Sequence, residues 1–168
     1  DTLTGSSGDD TIDGGAGDDV AIFTGVRSHY TVTQTAGGFL VIDNRGGTGS
    51  DTVRDVETLV FADVTIAPAT GGLEILGTPA TDSLVGTALD DIILADDDND
   101  TVDGGDGNDR LFGQGGDDSI SGGLGNDVID AGSAHDTVDG GAGEDRIIAG
   151  DGNDSVLGGA DNDTINGG

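Results

Sequence analysis

Across the C-terminal part of the chain, apolar residues recur at a fixed interval of nine: Leu84, Ile93, Val102, Leu111, Ile120, Ile129, Val138, Ile147, Val156 and Ile165. An aspartate stands two places before each of them: Asp82, Asp91, Asp100, Asp109, Asp118, Asp127, Asp136, Asp145, Asp154 and Asp163. Cut at Gly77, the chain gives ten nonapeptides without a gap, among them GTPATDSLV, ADDDNDTVD, GGDGNDRLF, GGLGNDVID and GGADNDTIN. Aspartate holds position six and an apolar residue position eight in all ten. Positions seven to nine suit a short strand whose middle residue faces inward. The six residues before them are rich in glycine, which accepts left-handed backbone angles, and predict a tight turn.

The N-terminal part shares this register in places. GSSGDDTID (5–13), GGAGDDVAI (14–22) and GGTGSDTVR (46–54) are further units, with Asp10, Asp19 and Asp51 at position six. Asp1 to Thr4 reads as the tail of a preceding unit and Gly167-Gly168 as the head of a following one, so a segment of a longer array is expected. Residues 23–45 leave the rhythm. Tyr30 to Thr35 alternates, Ala36-Gly37-Gly38 can turn, and Phe39 to Asp43 returns, which predicts a β-hairpin. Residues 55–67 form another strand-rich piece. Four of the five aromatic residues, Phe23, Tyr30, Phe39 and Phe61, fall in this block, so a conventional core is expected there. An insertion that closes or caps a stack of repeats is the expected role. Ala67 to Gly72 reads as a bend, which divides the chain into 1–72 and 73–168.

The pattern G-G-x-G-x-D-x-U-x resembles the RTX (repeats-in-toxin) family and its hemolysin-type calcium-binding nonapeptides. That resemblance implies an all-β fold: a right-handed parallel β-roll (β-helix) of stacked 18-residue coils, here with a hairpin-rich insertion in the N-terminal part. Coils would stack about 4.8 Å apart. Aspartates 18 residues apart then fall on one side of the roll. Counting units from Gly77, even units own the row Asp91, Asp109, Asp127, Asp145 and Asp163, and odd units own Asp82, Asp100, Asp118, Asp136 and Asp154. Carboxylates and the carbonyls of turns opening at Gly104, Gly122 and Gly140 would form an all-oxygen cage. Such a cage suits calcium better than magnesium, and roughly five to ten ions are expected. The strongest sites are expected at Asp109/Asp127 and Asp127/Asp145. The odd-side turns GTPATD, ADDDND and AGSAHD lack glycine at position two or four, which puts Asp82/Asp100 and Asp118/Asp136 in doubt. Ala80 and Leu89 take positive φ poorly, so the first coil is expected to be irregular or a cap.

Charge sharpens this reading. The chain has 34 acidic residues against 5 basic ones, a net charge of -29. Nucleic acid and anionic membranes need clustered Lys and Arg, so neither is an expected partner, whereas cations are. One buried apolar side chain per unit stabilises by about 1.5–3 kcal/mol. Ordering costs about 1–2 kcal/mol for each of the unit's residues. The repeats are therefore expected to be disordered at low calcium and to fold when the ion binds. With no cysteine, disulfides and thiolate metal sites are excluded. No apolar run is long enough to cross a membrane. Asp96 to Asp100 is not an EF-hand loop, because Thr101 stands in place of the turn glycine and Gly107 in place of the bidentate glutamate. No HExxH, GxSxG or P-loop motif occurs, and no catalytic residue is expected.

The outward positions of the even units, Ile92, Leu94, Arg110, Phe112, Val128, Arg146 and Ile148, form an apolar stripe carrying two arginines, a candidate packing or self-association face. The RTX resemblance implies a calcium-binding module of a large, secreted or cell-surface bacterial protein, exported by type I secretion, with a structural or adhesive role. The alternative is an accessory module of a secreted enzyme such as a protease, lipase or alginate epimerase, with its catalytic residues outside this chain.

Overall fold

The computed structural model describes residues 1–5, 9–17, 19–26, 29–35, 38–43, 50–54, 56, 58–68 and 72–168. The fold is all-β, a parallel β-solenoid, and forms two compact units, Asp1–Ala67 and Pro68–Gly168. The first contains β1 (Thr2–Thr4), β2 (Thr11–Asp13), β3 (Val20–Ile22), β4 (Tyr30–Thr35), β5 (Gly38–Asp43), β6 (Ser50–Arg54), β7 (Thr58–Val60) and β8 (Thr65–Pro68).

Strands β1 and β3 pair in parallel with Thr2 opposite Val20, a step of 18 residues. Strands β2 and β6 also pair in parallel, but Thr11 meets Thr52, a step of 41. The excess over 18 is 23, the length of the segment 23–45 that breaks the repeat. That segment holds the predicted hairpin: β4 and β5 run antiparallel from Tyr30 opposite Asp43 to Thr35 opposite Gly38. Strand β5 then pairs antiparallel with β6, so the order is β2-β6-β5-β4 and the hairpin covers the edge that β6 would expose. Strand β8 does the same for β7, with Leu59 opposite Ile66. Phe23 stacks on Phe61 at 5.2 Å between centroids and meets Tyr30 edge-on at 5.6 Å. Val41, Val53, Leu59 and Ile66 are buried beside this aromatic cluster's strands. Gly46 to Gly49, the turn of the third N-terminal unit, lie outside the described residues.

The second unit is the repeat array. Its strands are β9 (Leu73–Leu76), β10 (Ser83–Val85), β11 (Ile92–Leu94), β12 (Thr101–Asp106), β13 (Arg110–Phe112), β14 (Ser119–Leu124), β15 (Val128–Asp130), β16 (Thr137–Ala142), β17 (Arg146–Ile148), β18 (Ser155–Leu157) and β19 (Thr164–Asn166). Even units build the order β9-β11-β13-β15-β17-β19 and odd units build β10-β12-β14-β16-β18, every pair parallel. The register steps by 18: Ile93 meets Leu111, which meets Ile129, then Ile147 and Ile165. The apolar position eight faces inward, and Leu84, Ile93, Val102, Leu111, Ile120, Ile129, Val138 and Ile147 are at most 2% exposed. Val156 is half-buried and Ile165 is 47% exposed, because β18 and β19 are the end strands of their sheets among the described residues.

Two details differ from the repeat pattern. Strands β12, β14 and β16 run for six residues, not three, because the first half of each even turn keeps pairing: Gly105 meets Gly123 and Gly123 meets Gly141. The first coil is irregular, as expected: neither Ala80 nor Leu89 takes positive φ, and the Ala80 N–H donates to the Thr78 carbonyl at 2.7 Å. On the outer face of the even sheet Ile92, Leu94, Phe112, Val128 and Ile148 are half-buried and both arginines are exposed, with the Arg110 guanidinium 5.9 Å from the Phe112 ring centroid.

Candidate metal-binding turns

The position-six aspartates stand where each turn enters its strand, and they stack in two rows. Asp91, Asp100, Asp109, Asp118, Asp127, Asp136 and Asp145 are at most 2% exposed, and Asp82 is 6% exposed. Asp154 and Asp163, in the outermost coil, are half-buried. Within a row each aspartate is tied to the next. The Asp91 N–H donates to Asp109 Oδ1, Asp109 to Asp127 and Asp127 to Asp145, each at 2.8 Å, and Asp145 to Asp163 at 3.0 Å. The odd row repeats this through Asp82, Asp100, Asp118, Asp136 and Asp154 at 2.7–3.0 Å. The even row begins at the Leu73 N–H, which donates to Asp91 Oδ1 at 2.5 Å.

This ladder continues in the N-terminal unit. The Asp1 amino group donates to Asp19 Oδ1 at 2.6 Å. The Asp10 N–H donates to Asp51 Oδ1 at 3.1 Å, across the inserted hairpin. The carboxylate therefore has a duty that the spacing alone did not reveal. One oxygen satisfies the backbone N–H of the neighbouring coil; in Asp82 and Asp91 the other accepts from Thr78 and Thr87, and from Asp100 to Asp154 Oδ2 is left for a ligand. In Asp100, Asp109, Asp118, Asp127, Asp136, Asp145 and Asp154 that Oδ2 is buried without a hydrogen-bond partner. Buried polar atoms are nearly always paired, so a whole row of exceptions calls for an explanation.

The turn backbone shapes the space in front of Oδ2. At Gly104 a side-chain carbon would stand 2.5 Å from Asp109 Oδ2 and 2.5 Å from the carbonyl oxygen of Gly122 in the next coil. At Gly122 it would meet Asp127 Oδ2 at 2.5 Å, and at Gly140 Asp145 Oδ2 at 2.6 Å. A carboxylate oxygen and a carbonyl oxygen thus converge on a gap that any larger residue would close. In the even turns opening at Gly104, Gly122 and Gly140 positions two and four are left-handed glycines, as at Gly123 (φ 106) and Gly125 (φ 124). In three of the odd turns Ala95, Ala131 and Ala149 hold position one, fully buried, whereas Gly113 holds it in the turn of Asp118 and faces Oδ2 as the even glycines do.

Residues 1–22 and four overlapping segments spanning 76–168 match the profile of the RTX calcium-binding nonapeptide repeat (4 copies). The chain belongs to this family. The match leaves out 23–75, where the hairpin and the antiparallel strands lie. No curated protein matches the chain. Among solved structures it is similar to the extracellular lipase LipA from Serratia marcescens, with 18% identity and a TM-score of 0.37; the likeness covers 88% of this chain and 30% of that one.

The RTX family implies calcium, and the residues present fit it. Among the described residues no three His, Cys, Asp or Glu side chains converge on one point. The donors available at each turn are one carboxylate oxygen and backbone carbonyls, an all-oxygen set suited to a hard cation. Burial is the main cause that raises the carboxyl pKa values of six RTX aspartates, and the neighbouring carboxylates add to it. Asp109 is pushed up to about 7 and Asp100, Asp118 and Asp127 to about 6; Asp136 and Asp145 are also raised. The N–H bond from the adjacent coil opposes the shift without cancelling it. A neighbouring cation would reverse it.

A second column escaped the sequence reading. Position five of the RTX repeat looks variable, yet its side chains accept from the backbone one coil on: Asn108 N–H to Asp90 at 2.8 Å, Asn126 N–H to Asn108 at 2.9 Å, and Glu144 N–H to Asn126 at 2.8 Å. On the odd side Asp117 N–H donates to Asn99, His135 N–H to Asp117, and Asn153 N–H to Nδ1 of His135 at 3.0 Å. The signal was present, since every residue from Thr81 to Asn162 in this column carries an acceptor.

Proposed function

We propose that this RTX segment is a calcium-ordered module of a secreted bacterial protein, unfolded where calcium is scarce and folded where it is plentiful. The observation that carries this reading is the run of buried, unpartnered Oδ2 atoms from Asp100 to Asp154. Burying unpaired charge is costly, and removing its partner from a buried pair is strongly destabilising. A calcium ion, when bound, supplies positive charge and accepts the lone pairs of Oδ2 and the turn carbonyls. Asp109, Asp127, Asp145 and Asp163 would hold ions on one side, and Asp100, Asp118, Asp136 and Asp154 on the other; at Asp91 and Asp82 an ion would have to displace the Thr87 and Thr78 bonds to Oδ2. Asp10, Asp19 and Asp51 are the corresponding residues of the N-terminal unit. The module's role is structural or adhesive.

Titration calorimetry tests this. Calcium should bind at several sites per chain with saturation, and magnesium, which demands tighter octahedral geometry, should not replace it at equal concentration. Equal uptake of both ions, or no uptake, contradicts the proposal.

A further inference from the structure

The two rows carry the same aspartate and the same buried Oδ2, but their turns are built differently. In the even turns opening at Gly104, Gly122 and Gly140, positions two and four are glycine throughout, with φ between 100 and 131. In the odd turns 95–100, 113–118 and 131–136 glycine holds two of these positions, Gly116 (φ 133) and Gly132 (φ 108), and the other four fall on Asp96 (φ 85), Asp98 (φ 78), Gln114 (φ 74) and Ala134 (φ 92). The even side has one such residue among those described, Asp161 (φ 80), in the outermost coil. Side chains resist this region, alanine and glutamine more than aspartate. Position one adds a second difference. The gap beside Asp109 and Asp127 is kept open by glycine, whereas in two of the three odd turns Ala95 and Ala131 place a buried methyl group at that position beside Asp100 and Asp136; in the third, Gly113 leaves the gap beside Asp118 open. Pairing adds a third. Even turns continue the strands β12, β14 and β16 in register, while odd turns are joined by single bridges, Asp97 to Gly115, Gly115 to Ser133 and Ser133 to Asp151.

We infer that the two rows take up calcium in order: the even turns 104–109, 122–127 and 140–145 fill first and order the roll, and the odd turns 95–100, 113–118 and 131–136 fill at higher calcium. The inference rests on the calcium reading above. Ordering a turn and filling its site are coupled, so the strain of the odd turns appears as weaker apparent affinity. A separation of about tenfold between the two midpoints is expected.

Calcium titration of the full chain, followed by calorimetry and circular dichroism, tests the order. The wild type should show two phases, with most of the ellipticity gained in the first. Asp127→Asn should move the first phase to higher calcium, and Asp118→Asn only the second. The double variant Gln114→Gly/Ala134→Gly relieves strain without touching a carboxylate, so it should pull the second midpoint toward the first. One phase that Asp118→Asn and Asp127→Asn shift equally overturns the inference, as does a double-glycine variant with unchanged midpoints. Absence of any calcium response in the wild type is a separate result, which removes the calcium reading and the order of filling with it.

Discussion

In the unit Asp1–Ala67 three aromatic rings pack on one another and antiparallel strands pair with β6 and β7, whereas in Pro68–Gly168 the nonapeptides from Gly77 to Ile148 each bring one aliphatic residue inward and bury one carboxylate beside it. The first arrangement draws on apolar surface, the usual source of stability. The second spends a large part of its interior on negative charge. On the calcium reading proposed above, the order of such a repeat is conditional on a cation, and the aromatic cluster of the first unit has no such condition built into it.

The largest expected effect is a difference between the units on chelation. Hydrogen exchange should show amides of β12 to β17 losing protection when calcium is withdrawn, while those of β5, β6 and β7 retain more of theirs. Simultaneous loss in both units would break the comparison. Next, Leu59→Ala removes a fully buried side chain from the first unit and should cost about 2–5 kcal/mol at any calcium level, read from denaturant midpoints. In the second unit, Asp127→Ala should raise the calcium midpoint of folding about tenfold, equivalent to about 1.4 kcal/mol. Acid should act as a partial substitute for the ion. The carboxyl groups of Asp100, Asp109, Asp118 and Asp127 in the ordered roll are raised to about 6–7. An unfolded aspartate titrates near pH 3.9, so the ordered state binds more protons between roughly pH 4 and 7. The stability those protons confer is complete below about pH 4 and is lost as pH rises through 6–7. Calcium-free chain should therefore gain ellipticity when acidified from neutral pH, and a flat response would contradict the burial of these groups. The smallest effect is expected at position five: Asn126→Ala removes an exposed acceptor and should cost no more than about 1 kcal/mol in calcium.

The repeat, the inward column and the hairpin at 30–43 were legible because each depends on local periodicity. What stayed hidden has a physical reason in each case. The ladder through Oδ1 and an ion bridging two coils would both place aspartates 18 residues apart, so spacing cannot separate them. The pairing of Asp10 with Asp51 needs the strand register across the insertion, which only the fold supplies. Gln114 and Ala134 adopt left-handed angles because the coils stacked above and below impose them, against the preference of the residues themselves. Ile165 obeys the repeat in sequence and is exposed, because β19 is the end strand of its sheet.

Far-ultraviolet circular dichroism with hydrodynamic radius, recorded on the same chain in excess chelator and in millimolar calcium, tests the central claim most directly. The account predicts an expanded chain with little β signal in chelator that contracts and gains β structure as calcium is added. A compact, β-rich chain in chelator at neutral pH, unchanged by calcium, would contradict it.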